Sequence, residues 1–368
     1  MNGNVQVVVI GGGYGGVTAA NSLARRDGVS VTLVNPRPDF VERIRLHQLV
    51  TGSDDAVVGF GEVLGGNVRL VVDTATRIDA GERQVSLAGG GTVSYDYLVY
   101  AVGSGAADPG VPGAAEFAHW VSDIEGAERL RSALATSASA PVTVVGAGPT
   151  GLETAAELAE AGRKVTLVCG DVLGPSLHAR VRRPVARRLA ALGVSVLEGA
   201  GAQVTEVTRD AVRLEDGREL PSAVTIWTAG FRVPDLAARS GLRTNTEGRL
   251  VTDSSLTCVD DERIVAAGDA AVMTDHPFRM SCQAAVQLGP AAAATILRRI
   301  GGKTPAPVRM FFAGQCLSLG RNEGVTQFSY PNDKVNALRI SGRPGAGVKE
   351  IACRFTLNKL VSGARKAS

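Results

Sequence analysis

Residues 7–24, VVVIGGGYGGVTAANSLA, decide the fold. Four β-branched apolar residues run into Gly11, Gly13 and Gly16, which hold the three positions of a G-x-G-x-x-G fingerprint, and an alanine-rich segment follows. Strand, glycine turn and helix are the context in which this motif binds a dinucleotide. The first glycine permits the tight turn, the second lets backbone N–H groups approach a pyrophosphate, and the third lets helix and strand pack closely. The helix N-terminus favours the anion. In a chain with 45 glycines a bare strand–helix turn could spell the same string. Residues 142–162, VTVVGAGPTGLETAAELAEAG, repeat it in the same context, with Gly146, Gly148 and Gly151 in the fingerprint positions. Two such units predict two bound dinucleotides.

Residues 5–10, 15–25 and 29–34 read as the strand, helix and strand of a first βαβ unit. An acid usually ends the second strand and accepts from the ribose hydroxyls. Asn35 stands there. Its amide oxygen can accept such a bond without a charge to strengthen it, and it can equally be a turn residue before Pro36. The second unit starts at Pro141, and its second strand, 164–168, puts Cys169 at the ribose position. Arg180, Arg182, Arg183, Arg187 and Arg188 follow. An acid here favours NAD, whereas an arginine accommodates the extra phosphate of NADP. The arginines also read as the solvated face of a helix, so NADH and NADPH both stay open.

Further along, 68–72, 84–87 and 92–93 read as short antiparallel strands between glycine-rich turns. The strand in TVSYDYLVYAVGS empties into Ala101, Val102 and Gly103, and the one in AVTIWTAGFRV into Thr228, Ala229 and Gly230. Small residues at a strand end suit a backbone that passes close to a ligand. RIVAAGDAAV repeats the theme before Asp269, and 282–300 reads as a helix. Strands are expected at 314–319 and 324–328, and a last amphipathic stretch at 348–360 carries Lys349, Arg354 and Lys359 beside Ile351, Phe355 and Leu357.

At 368 residues the chain is long enough for two or three domains. With 20% charged residues, a net charge of +3 and no sustained basic block, nothing points to nucleic acid. The first apolar run ends directly in Gly11, unlike a signal peptide, and no run reaches the roughly 18 apolar residues of a membrane span. Cytoplasmic residence is the expectation, with peripheral contact at the inner face of the membrane open. Cys169, Cys258, Cys282, Cys316 and Cys353 show no C-x-x-C pair, so isolated reduced thiols are expected rather than a disulfide framework, a thiol-redox centre or a zinc site. His47, His119, His178 and His276 lack metal-ligand spacing, and no role is assigned to them.

Both fingerprints, the two strands ending in small residues and the Gly268–Asp269 element, in this order, resemble the two-dinucleotide-binding-domain flavoproteins of the pyridine nucleotide-disulfide oxidoreductase superfamily. The resemblance runs to about residue 300. It implies an α/β fold of two Rossmann-like domains plus a small C-terminal α+β region. The implied FAD-binding domain is discontinuous, 1–112 and 246–305, with an NAD(P)H-binding domain at 113–245 inserted in it and an acceptor or interface region at 306–368. FAD falls to Gly11, Gly13, Gly16, Asn35, Gly103 and Asp269, whose carboxylate would accept from the ribityl chain. NAD(P)H falls to Gly146, Gly148, Gly151, Glu153 and Gly230.

Within the superfamily, Gly148 to Glu153, GPTGLE, resembles type II NADH dehydrogenases and the quinone-reducing ferroptosis suppressors. Those enzymes carry an Ala-Gln and then a Gln-Gln pair near the flavin ring. Here Cys282-Gln283 and Gln287-Leu288 keep one glutamine of each. Gln283 and Gln287 share a helix face and could hydrogen-bond a quinone carbonyl, or could be interior glutamines satisfied by backbone. Residues 40–49, FVERIRLHQL, lack the cysteine of the disulfide-reducing branches and the aromatic, arginine- and proline-rich signature of ferredoxin reductases. The implied activity is hydride transfer from NADH or NADPH to FAD, then two-electron reduction of a quinone or quinone-like small molecule. The alternatives are a ferredoxin-type protein acceptor, oxygen, or a slow-turnover redox sensor. A C-terminal element packed on the protein's own core, or in a homodimer, fits 348–360 as well as a bilayer contact does.

Overall fold

Valine-rich runs build two parallel sheets in the computed structural model, which describes residues 4–137, 139–274 and 278–368. The strand Val5–Ile10 is central in a five-stranded sheet ordered Ile264–Ala266, Tyr97–Tyr100, Val5–Ile10, Val29–Asn35, Val68–Val72, with every neighbour parallel. Val7, Val8, Val9 and Ile10 are all buried, as a strand covered on both faces requires. Val68–Val72 therefore differs from its expected antiparallel pairing. As the outer strand of a parallel sheet it is partly exposed, and its mixed burial resembles that of a hairpin strand. Residues 84–87 and 92–94 do pair antiparallel.

The second sheet repeats the first around its own fingerprint strand: Ala118–Trp120, Val224–Trp227, Val142–Val145, Val165–Val168, Ser195–Leu197, again all parallel. Gly105–Ala106 and Phe231–Arg232, which leave the two sheets, pair antiparallel as a two-stranded ribbon. The C-terminal region adds an antiparallel sheet of Gly314–Ser318, Gly324–Ser329 and Val335–Gly342, whose last strand was not anticipated. Half of that strand's residues are glycine, polar or charged, which hides its pattern. The chain closes with the helix Arg343–Arg365, longer than expected, packed on Tyr14–Leu23 and on the C-terminal sheet. Its buried face holds Gly345, Lys349, Cys353, Leu360 and Ala364.

Candidate active site

The three glycines of each fingerprint differ in geometry as their roles demand. Gly11 has φ +100, and a Cβ on it would fall 2.3 Å from the Ala101 carbonyl oxygen; on Gly16 it would fall 1.8 Å from Gly11 O. In the second unit Gly146 has φ +107, and a Cβ on Gly151 would meet Gly146 O at 1.8 Å. Gly13 and Gly148 instead sit at the helix N-caps in extended backbone, and a Cβ there would meet nothing within 4 Å. Each middle glycine thus opens onto free space at a helix N-terminus, where an anion is favoured.

The first cleft has a further fit to a ribityl chain. Asp269 lies in the short turn Gly268–Ala270 that follows the strand Ile264–Ala266. Ser104 Oγ donates to its Oδ2 (2.7 Å), and Arg43 Nη1 donates to Ser104 Oγ (3.2 Å) while standing 3.9 Å from Asp269. The other oxygen, Asp269 Oδ1, is buried without a hydrogen-bond partner. An orphaned buried acceptor costs about 1–3 kcal/mol, which a ligand hydroxyl would relieve. The residues present fit FAD at this place. Gly103 (φ +73) turns the chain beside Arg43, and Gly230 (φ +81) brings its backbone against Ala107 next to the ribbon.

Asn35 is committed locally. Its Oδ1 accepts from Gly12 N–H (2.9 Å) and its Nδ2 donates to the Arg37 carbonyl (2.9 Å), so it braces the glycine turn. A ribose hydroxyl would have to share that oxygen. The glutamines are also engaged. Gln287 donates to the Gln283 and Phe311 carbonyls and accepts from Phe311 N–H. Gln283, in the amide orientation that satisfies both ends, accepts from Ala313 N–H (2.9 Å) and donates to the Gly314 carbonyl (3.1 Å). Both side chains anchor the strap 311–314.

Glu153 makes its contacts away from the Gly146–Gly151 turn. It is buried, with Oε1 3.0 Å from Lys349 Nζ and accepting from Ser318 N–H (2.9 Å), and Oε2 4.0 Å from His47 Nδ1. Burial alone would push the carboxyl up, but the Lys349 ammonium and the Ser318 N–H hydrogen bond hold it below the usual range. Burial lowers His47 to about 4 against the pull of Glu153, leaving a neutral imidazole whose Nε2 faces Ser318 Oγ at 3.2 Å. Burial likewise disfavours the charged Lys349, yet Glu153 and the nearby Cys353 and Cys316 outweigh it and raise its pKa. The result is a desolvated ion pair between the nucleotide-unit helix Pro149–Glu160 and the C-terminal helix. Glu157 and Glu160 extend the seam to Arg321 and Arg188.

The Ser104 hydroxyl, His47, Ser318 and the burial of Lys349 were not anticipated. The i, i+4, i+7 spacing of Glu153, Glu157 and Glu160, which puts three acids on one helix face, is a signal that went unread in the sequence. The five cysteines are all free, and His276 lies outside the described residues. No helix among the described residues is long and apolar enough to cross a membrane.

Two Rossmann-type units with paired open glycine turns, one completed by an orphaned aspartate, define a protein that holds two dinucleotides in one chain. The chain belongs to the pyridine nucleotide-disulphide oxidoreductase family, whose model matches residues 5–292. An NADH dehydrogenase-like protein of Mycobacterium tuberculosis is 34% identical over 347 residues, covering 86% of each chain. The type II NADH:quinone oxidoreductase Ndh of the same organism is 29% identical over 390 residues, covering 92% of this chain and 81% of its own. The solved structure of NDH2 from Plasmodium falciparum in complex with NADH superposes with a TM-score of 0.81 at 16% identity, covering 98% of each chain, and shows the likeness of fold.

Proposed function

We propose that this chain is an FAD-dependent NAD(P)H dehydrogenase that reduces a quinone or quinone-like small molecule. The buried, unpartnered Asp269 Oδ1 beside an open fingerprint turn carries the reading, supported by the oxidoreductases to which the chain is similar. On this reading FAD belongs to 1–112 and 246–305, the nicotinamide dinucleotide to 113–245 and the acceptor to 306–368. A flavin held there would supply the redox chemistry, two-electron transfer from the nicotinamide's hydride to the acceptor. The protein's own part is to hold the two dinucleotides through the Gly13 and Gly148 turns, to orient the ribityl chain with Asp269, and to shape the acceptor side with the strap 311–314. Anaerobic stopped-flow reduction by a nicotinamide dinucleotide, followed by mixing with a soluble quinone, tests it. Rapid bleaching and quinone-dependent reoxidation are expected. A reduced flavin that persists in quinone would overturn the reading.

The strap gives a half-reaction test. Replacing Gln283 and Gln287 together by Ala removes neutral hydrogen bonds worth about 0.5–1.5 kcal/mol each and frees the strap. Reoxidation by quinone should slow while flavin reduction is nearly unchanged. An equal loss in both half-reactions would mark the glutamines as general scaffold only.

We further propose weak contact with anionic bilayers through Ile351 and Phe355, each 68% exposed and one turn apart on the C-terminal helix, beside Arg354. Two apolar side chains and a few cations make a small anchor by the standard of interfacial helices. Cosedimentation with anionic vesicles should therefore be slight and abolished by salt, and binding that survives high salt would show a stronger anchor.

A further inference from the structure

The two units differ at the residue that ends the strand after the fingerprint helix. Asn35 and Cys169 hold equivalent places, since Gly11 N–H donates to the Val34 carbonyl as Gly146 N–H does to the Val168 carbonyl, both at 2.8 Å. Cys169 is poorly suited to reading a ribose. Its thiol points at the Leu167 carbonyl, 3.9 Å away. Burial, with Glu198 nearby, pushes it up to about 12, so it stays a neutral, weak donor.

The acid comes from the neighbouring strand. Cys169 N–H donates to the Leu197 carbonyl (2.8 Å) and Gly199 N–H to the Gly170 carbonyl (2.9 Å), so the parallel pairing continues past the strand ends and sets Glu198 beside Cys169. Glu198 is exposed, and its Oε2 accepts from Leu173 N–H (2.6 Å), which pins the loop leaving the strand. Asp171, also exposed, accepts from Gln203 Nε2 (3.3 Å). From Gly170 to Ala179 the sequence contains no lysine or arginine. His178 in this loop accepts from Arg180 N–H at the helix N-cap. Of the arginines beyond, Arg182 donates to the Gly174 and Leu177 carbonyls and Arg188 to the Leu319 carbonyl and Glu160.

Resting on the reading of the second cleft as the nicotinamide site, we propose that Glu198 is its specificity-determining residue. Its carboxylate accepts from the adenosine ribose hydroxyls and repels a 2′-phosphate, so that the chain selects NADH over NADPH without an acid at the strand end.

Calorimetry on the FAD-loaded protein with ADP-ribose and with 2′-phospho-ADP-ribose reads this without turnover. ADP-ribose is expected to bind about tenfold or more tightly than its 2′-phosphate, from charge repulsion at close range in a solvated cleft. Glu198→Gln keeps an acceptor for Leu173 N–H but removes the charge, and should narrow that ratio roughly fivefold to tenfold. Glu206→Gln, at a half-buried acid paired with Arg213 on a different sheet, should leave the ratio unchanged and so exclude a general charge effect. Equal binding of the two fragments to the unmodified protein, an unaltered ratio in Glu198→Gln, or an equal shift in Glu206→Gln would overturn the proposal. Failure of both fragments to bind would instead overturn the second cleft as a nucleotide site, and this assignment with it.

Discussion

Gly13→Val should fold and carry no flavin. The backbone at Gly13, φ −80 and ψ −170, is one that any residue adopts, and a Cβ there meets nothing within 4 Å. Loss of a glycine N-cap costs the protein at most about 1 kcal/mol. The new side chain instead fills the space through which backbone N–H groups reach a pyrophosphate. The purified variant should therefore show wild-type far-ultraviolet dichroism and no visible flavin absorbance. Full flavin occupancy in it would sink the FAD assignment. Gly148→Val serves as its counterpart. That variant should keep its flavin but be reduced by nicotinamide dinucleotide at least about tenfold more slowly, each tenfold being 1.4 kcal/mol of lost transition-state stabilisation.

Lys349→Met should be among the most destabilising single changes in the chain. It keeps the length of an almost completely buried side chain but strips the counter-charge from Glu153, which has no water to turn to. Breaking one side of a buried pair typically costs about 3–5 kcal/mol, whereas replacing both partners by groups of similar shape is often close to neutral. The denaturation midpoint in urea should fall sharply for Lys349→Met and recover in the Glu153→Gln, Lys349→Met double variant. A single variant within about 1 kcal/mol of the parent would show that the pair is hydrated or dispensable.

What the sequence made legible follows from how local each signal is. The fingerprint turns, the strands around them and the helix Cys282–Ile300 are set by neighbours within a few residues, so glycine spacing and apolar runs sufficed to place them. The direction of Val68–Val72 was misjudged because an outer parallel strand and a hairpin strand have the same half-buried pattern. Asp269 was placed through family likeness, but its partners Ser104 and Arg43 lie 165 and 226 positions away, and nothing in composition joins them. Lys349 stood in a stretch for which packing on the protein's own core, a homodimer and a bilayer contact were all open. Only the tertiary fold, which lays that helix against Glu153, turns a surface-type residue into a buried one. The amides of Asn35, Gln283 and Gln287 were read as ligand groups, with bracing of the local backbone as the alternative. Their hydrogen bonds in the structure are of the bracing kind, a use that residue type alone leaves undecided.

The ribbon of Gly105–Ala106 and Phe231–Arg232 gives the molecule a mechanical property of its own. Two separate tethers would let one nucleotide unit swing and twist independently of the other. Tethers hydrogen-bonded to each other act as a single flexure, soft to bending across the ribbon and stiff to shear along it. The two nucleotide units are then joined at two places, by this four-residue ribbon and by the Glu153–Lys349 contact with a helix that also packs on Tyr14–Leu23.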